Sequence, residues 1–425
     1  MNALQIFQIL RFSTTLLIGI LLIKVFGLST AEISLYEILL FLGNFVSFFW
    51  ISAGQKGLLS LFPSYPPKQQ AKLLFNIFLV LFLLGLLAAL GLYFGQVYLI
   101  PSLTQYQQLA HIPLLCIYLV FIAPSYLTEY IYLLKKEESA IIRYGFIVHG
   151  LQLAAVFIPI SLGLGIGGLF TGLVLWSLFK FVWLGSLLIK YATFSFNWLL
   201  QKHFLLLLLP LGLHTLLGGG MEYIDGFIVT SHFEDEKVFA LFRYGARELP
   251  LVSILVAALV ATLIPLAVEK EQVAIGRIKK EIKKLSLWLY PITILLMVVS
   301  PYLYPLVYNE DFALSAKVFN IYLLVISSRV LLPQVLIYSR KHNYILVISA
   351  VVELLVNLSL SLYWVGDYGL EGIAFATVIA YLVNKILLIS YNHYQFGIPI
   401  TDYLDLKSYI IFNILLFVIF WATLS

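Results

Sequence analysis

Runs of twenty or more residues with almost no charge recur along this chain, and they restrict its fold more than any motif does. About 20 apolar residues in a helix match the ~30 Å hydrocarbon layer of a bilayer at ~1.5 Å per residue. In that layer only helices and closed barrels satisfy their own backbone hydrogen bonds. The runs are continuous rather than alternating, which excludes barrel strands. They lie near 5–28, 34–61, 73–99, 109–134, 141–161, 167–189, 204–230, 238–265, 285–307, 313–338, 344–364 and 370–392, and a thirteenth extends from about 408 to 424. Charged residues make up 11% of the chain, against ~25% in a soluble domain. The fold class is therefore an all-α polytopic membrane protein with 12 core transmembrane helices and an extra C-terminal helix. The N-terminal MNALQIFQILRFSTT reads as the start of the first span, not as a cleaved signal peptide.

Lys and Arg collect on cytoplasmic loops. Sixteen of them fall in one set of connections, from Lys68 and Lys72 through Lys279, Lys280, Lys283 and Lys284 to Lys407, against Lys237 and Lys317 in the alternate set. The N-terminus and the basic loops are thus expected in the cytoplasm. The longest of them, from Glu269, spaces Ile278, Ile282 and Leu285 helically among lysines. It reads as an amphipathic helix lying on the membrane, or as an ordinary basic loop.

An internal repeat organises the spans. IYLVFI at Ile117 recurs as IYLLVI at Ile321, 204 positions on, and Gly165 and Gly168 recur as Gly369 and Gly372 at the same offset. Lys136 matches Arg340 in the same register. Six spans per half is an even number, so the halves enter from the same side as parallel repeats. Expected are a lobe over 1–200, a second over 201–395, and a linker with the extra helix over 396–425. Two parallel six-helix lobes of this kind imply a transporter with a central cavity.

Charges inside the spans are costly, at least ~2.5–3.5 kcal/mol each. Glu222 and Asp225 precede the turn SHFEDEK, and Arg243, Arg247 and Glu248 follow it. Counted from that turn, Asp225 matches Arg243 in depth and Glu222 matches Arg247. They are either ion pairs that staple a helix hairpin or a polar lining. Lys24 and Glu37 flank the first external turn, and Arg329 and Glu353 are each twelve residues from Lys341, which pairs them. Lys56, Lys180 and His149 have no evident partner, and Glu129 lies near enough to a span end to be solvated. Arginines in a wet cavity suit phosphate groups, and the carboxylates suit H⁺ or Na⁺.

No GxxxxGK[ST] or HExxH occurs, and the seven histidines show no ligand spacing. No catalytic residues, metal site, cofactor or nucleic-acid contact is indicated. The lone Cys116 reads as a packing residue. A membrane-embedded transferase would need a larger extramembrane loop than this chain has.

YIDGFIVTSHF at Tyr223, FALFRYGARELPLVSILVAALVATLIPL at Phe239, YNEDFALSAKVF at Tyr308 and GLEGIAFATVIAYLV at Gly369 resemble the multidrug/oligosaccharidyl-lipid/polysaccharide (MOP) exporter superfamily. Within it the chain looks like the polysaccharide-biosynthesis branch, the O-antigen and lipid-linked oligosaccharide flippases. The resemblance covers spans 1–12. It implies export of a polyprenyl (undecaprenyl) diphosphate-linked oligosaccharide across the bacterial inner membrane for polysaccharide, O-antigen or lipopolysaccharide synthesis. Arg243, Arg247, Lys24 and Lys56, with Arg329, would hold the diphosphate. Glu222, Asp225, Glu248, Glu37 and Glu353 would serve as ion-coupling or ion-pair groups. Partners would be membrane lipids and other polysaccharide assembly proteins. The alternative is the superfamily's H⁺- or Na⁺-coupled efflux of small amphipathic molecules.

Overall fold

The computed structural model describes residues 3–104, 106–247 and 250–424, and the regular elements among them are helical. In chain order these are α1 (Ala3–Lys24), α2 (Thr30–Phe45), α3 (Phe48–Leu61), α4 (Pro67–Leu103), α5 (Ile112–Ser125), α6 (Thr128–Leu134), α7 (Glu138–Ser161), α8 (Gly165–Tyr191) and α9 (Trp198–His232). Then follow α10 (Lys237–Gly245), α11 (Pro250–Glu269), α12 (Glu271–Val307), α13 (Ala313–Leu323), α14 (Ile326–Arg329), α15 (Gln334–Ser339), α16 (Asn343–Phe396), α17 (Ile400–Tyr403) and α18 (Leu406–Leu424).

Ten helices among the described residues are long and apolar enough to cross a membrane, eleven if α2 and α3, bent by 49°, count as one span. One of the ten, α16, carries two of the expected spans. Its 54 residues turn at Gly369, whose φ of 58° and ψ of −135° leave the helical region. Glycine tolerates that positive φ without strain. The protein is a multi-pass membrane protein, and the thirteenth apolar run is the helix α18.

The repeat has a conformational signature. Gly165 and Gly369 both have positive φ, 59° and 58°. Lys136 and Lys341 also turn left-handed, with φ of 60° and 61°. The structural counterpart of Lys136 is thus Lys341, one residue beyond the Arg340 that the sequence register matched. Both ends close alike: Glu137 N–H bonds the Tyr132 carbonyl at 3.0 Å, and His342 N–H bonds that of Ile337 at 3.2 Å. These are the long bonds of Schellman motifs. Each half also interrupts one span at this register, between α5 and α6 and between α14 and α15.

The chain divides into two compact units. Unit 1 is Met1–Gly219 with Phe233–Lys237, and unit 2 is Gly220–His232 with Val238–Ser425. The division falls inside α9, not at residue 200. The first part of α9 belongs to the core of unit 1, where Phe204 closes against Gly57 and Leu200 and Leu208 join Leu73, Leu81 and Leu184. A Cβ on Gly219 would meet Phe48 at 2.9 Å, whereas one on Gly220 would meet Leu354 at 3.4 Å. Consecutive glycines thus hand the helix from one unit's packing to the other's. A second core of unit 1 joins Ala3 and Phe7 of α1 to Tyr144 and Val148 of α7.

In unit 2 the basic connection is no separate helix on the membrane. It is the first part of α12, whose 37 residues reach ~55 Å. Ile278, Ile282 and Leu285 are buried against protein. Lys279 Nζ donates to the Thr401 carbonyl at 2.7 Å, and Lys283 pairs with Asp405 at 2.9 Å. The stripe that could have met lipid is thus inside the protein, and α12 also contacts α17. The last helix, α18, packs on α12 and α13, with Asn413 Nδ2 donating to Tyr290 Oη at 2.9 Å. Cys116 is buried, as a packing residue would be.

Two outcomes test these contacts. A Cβ on Gly172 would stand 1.9 Å from the Ala155 carbonyl oxygen where α7 and α8 cross, and one on Gly91 would meet nothing within 4 Å. Gly172→Ala should lower the melting temperature, at a cost of about 1–3 kcal/mol. Gly91→Ala should not, and equal melting of the two would remove the crossing argument. The second concerns Asp405, whose carboxyl is lowered to about 2 by the Lys283 ammonium and by Ser408. A depressed carboxyl contributes stability that is full above its unfolded value of ~3.9 and lost as pH falls through the folded one. Hydrogen exchange in the 397–405 linker should therefore rise between about pH 4 and 2, and Asp405→Asn should abolish that pH step.

Candidate functional site

Unit 2 carries the most fully built polar site. Asp225 stands in α9 within YIDGF, with its side chain buried. Its carboxylate accepts from Thr377 Oγ1 at 2.6 Å, from Asn357 Nδ2 at 3.0 Å and from Tyr322 Oη at 3.0 Å. Asn357 Nδ2 also reaches Thr377 Oγ1 at 3.1 Å. The donors come from α13 and from the parts of α16 before and after Gly369, so the turn there brings Asn357 and Thr377 together. Three neutral donors satisfy the charge without a cation. Asn357 Oδ1 and Ser361 Oγ, one helical turn apart, are buried without a hydrogen-bond partner. A carboxylate beside unsatisfied neutral oxygens is a donor set for a hard monovalent cation or a proton.

The pairing counted from the turn is different in the structure. Arg243 pairs with Glu222, not with Asp225. Arg247 pairs with neither: its Nε donates to the Arg243 carbonyl at 3.3 Å, and its guanidinium lies 4.7 Å from the centre of the Tyr244 ring. Equal depth from a turn does not set which way a side chain faces. Asp225 is buried among α13 and α16, and Glu222, more exposed and one turn away, takes the arginine. Glu248 lies outside the described residues.

The pair Arg329 and Glu353 belongs to a larger group. Lys385 of α16 feels the charge of both, and its Nζ donates to Gln334 Oε1 at 3.0 Å. The Arg329 guanidinium stacks 4.1 Å from the Tyr381 ring centre. Lys385 sits in AYLVNKILL, and that unbroken apolar context was the signal for it.

In unit 1, Lys56 has a partner, donating to Thr215 Oγ1 at 3.1 Å. Lys24 is exposed in the last turn of α1, and Glu37 is half-buried on α2. Glu129 is not solvated; it is fully buried. Lys180 is buried with its Nζ 4.7 Å from the Tyr126 ring centre and 5.0 Å from that of Trp176, and Arg11 lies 4.9 Å over the same Tyr126 ring. His149 is buried and its Nδ1 shares a hydrogen bond with Gln152 Oε1 at 3.2 Å. Arg11 had a readable signal, an arginine eleven residues into the first apolar run. Tyr322, Asn357, Ser361 and Thr377 had none, since single neutral polar residues are ordinary in spans.

No protein-family model matches the chain. A stretch of 83 residues is 39% identical to a protein of Bdellovibrio bacteriovorus named as a probable lipid II flippase MurJ, and covers 19% of this chain and 16% of that one. Among solved structures, the lipid II flippase MurJ in an inward closed conformation matches with a TM-score of 0.67 at 18% identity, over 98% of this chain and 92% of the other. A MOP superfamily transporter from Pyrococcus furiosus matches at 0.65 and 14% identity, over 93% and 94%. An inward-facing multidrug resistance MATE transporter of the same superfamily matches at 0.65 and 14%, over 93% and 95%. The chain shares the fold of these MOP-superfamily transporters, as the superfamily resemblance read from the motifs implied.

Proposed function

We propose that this chain is a MOP-superfamily flippase that carries a polyprenyl diphosphate-linked oligosaccharide from the cytoplasmic to the outer face of a bacterial inner membrane by alternating access. The observation that carries this reading is the likeness to lipid II flippases, in the fold along nearly the whole chain and in the sequence over 83 residues. The diphosphate is the part of such a cargo that a membrane protein must neutralise. Arg243 and Arg247 are the groups for it. Arg243 is held by Glu222, and Arg247 stacks on a ring, which leaves its forked donors for phosphate oxygens. The N-terminus and the basic loops face the cytoplasm, by the charge asymmetry of the connections.

Transport is coupled to a monovalent cation or proton at Asp225. The support is chemical: a buried carboxylate, the Thr377 hydroxyl, and the partnerless oxygens of Asn357 and Ser361. A second reading, cation-coupled export of small amphipathic molecules, is favoured by the MATE-like fold together with this acid.

Thermal melting of the purified protein separates the readings. A ligand at 100 times its Kd stabilises by ~2.7 kcal/mol. Polyprenyl diphosphate sugars should raise the melting temperature of the wild type and not of an Arg243→Ala/Arg247→Ala variant. Cationic drugs should leave it unchanged, and the reverse pattern would favour efflux. Na⁺ should stabilise the wild type over K⁺, with the difference lost in Asp225→Asn. If no ion distinguishes the two proteins, Asp225 is structural. Arg247→Ala should abolish transport with normal expression.

A further inference from the structure

Unit 1 holds a buried acid that is none of the proposed cargo or cation groups. Glu129 opens α6, directly after the break at Tyr126 and Leu127 in the fourth span. Its side chain is fully buried and neither carboxyl oxygen has a hydrogen-bond partner. Ionisable groups face it from every side. Arg11 comes from α1 and Tyr130 from α6, while Tyr118 of α5 and Tyr126 of the break face Arg11. Tyr144 comes from α7 and Lys180 from α8, while His149 of α7 faces Lys180 and Arg11. From α3 comes Gln55, a neutral amide that donates to the Tyr126 carbonyl at 3.2 Å.

The arrangement is unequal. Lys180 has its own partners, the faces of Tyr126 and Trp176, and Arg11 shares the Tyr126 ring. A cation over aromatic faces is stabilised by the ring quadrupoles, so Lys180 has support beyond the charge of Glu129. The acid has no such provision. Ionised, it is held only by attraction across a gap to Lys180 and Arg11, with no donor to replace lost water. Protonated, it loses that attraction and also the cost of a bare buried charge. Neither form dominates through a dedicated hydrogen bond, which is how a group behaves when it must both gain and lose a proton.

We infer that Glu129 is a proton-binding site of unit 1, taking up H⁺ to pass from carboxylate to carboxylic acid with Lys180 and Arg11 as its controlling charges. The site is separate from Asp225 and does not depend on the cargo assigned above.

Infrared difference spectroscopy on the purified full chain in lipid nanodiscs, titrated with pH, reads it directly. A carbonyl band of a protonated carboxylic acid should grow on acidification in the wild type. It should be missing in Glu129→Gln and retained in Asp225→Asn. Lys180→Gln removes the cation that favours the carboxylate, so the midpoint of the band should move to higher pH. Fluorescence of the tryptophans, among them Trp176 beside Lys180, should follow the same midpoint. A titration in Glu129→Gln that superposes on the wild type would overturn the site and leave a structural group of fixed protonation state. If Glu129→Gln does not fold, Lys180→Gln decides alone: an unshifted midpoint overturns the inference. Neither measurement involves transport, so a failed flippase assignment would leave it standing.

Discussion

Inside a bilayer no water is available to a backbone carbonyl that has lost its helical partner, and the interrupted spans of this protein depend on how that demand is met. Where α2 gives way to α3, Trp50 Nε1 donates to the Val46 carbonyl at 2.7 Å, and Ser47 Oγ to that of Gly43 at 2.7 Å. At the break between α5 and α6, Gln55 Nε2 takes the Tyr126 carbonyl. Ahead of α15, Asn392 Nδ2 takes that of Pro333 at 3.0 Å. Each interruption is closed by a side chain from its own unit. The polar residues that look misplaced in an apolar sequence are, in these cases, the ones that let a span break.

Those breaks are also where the chemistry lies. Glu129 follows one and Arg329 precedes another. Asn357 and Thr377 are brought onto Asp225 by the turn at Gly369. The buried charges are stabilised in three different ways. Arg243 has a carboxylate, Asp225 has neutral donors, and Lys180, Arg247 and Arg329 have aromatic faces. With aromatic residues at 16% of the chain, ring faces help to hold cations at depth. Acids lack that option, because a ring face repels them. They must find donors, as Asp225 does, or remain short of them, as Glu129 does.

The spans, the basic loops and the repeat were legible because each rests on a periodic or cumulative signal. The pairing of charges was not. Counting residues from the SHFEDEK turn matched Asp225 with Arg243 and Glu222 with Arg247, and the structure keeps neither pairing. The amphipathic stripe at Ile278, Ile282 and Leu285 was read correctly as a stripe, but it is buried against protein and not laid on lipid. Lys385 and Arg11 could have been found by asking for every charge in an apolar run.

By itself, the sequence determined that this chain crosses a membrane many times as helices, that its two halves repeat, and which residues are charged at depth. Hydropathy and register are sums over local residues, and the cost of bare backbone in hydrocarbon leaves few other solutions. The tertiary structure alone decided that α9 changes units between Gly219 and Gly220, that Asp225 is held by Tyr322, Asn357 and Thr377, and that Glu129 is buried without a donor. Those outcomes depend on which helix faces meet, and residues far apart in the chain share no local signal of their contact.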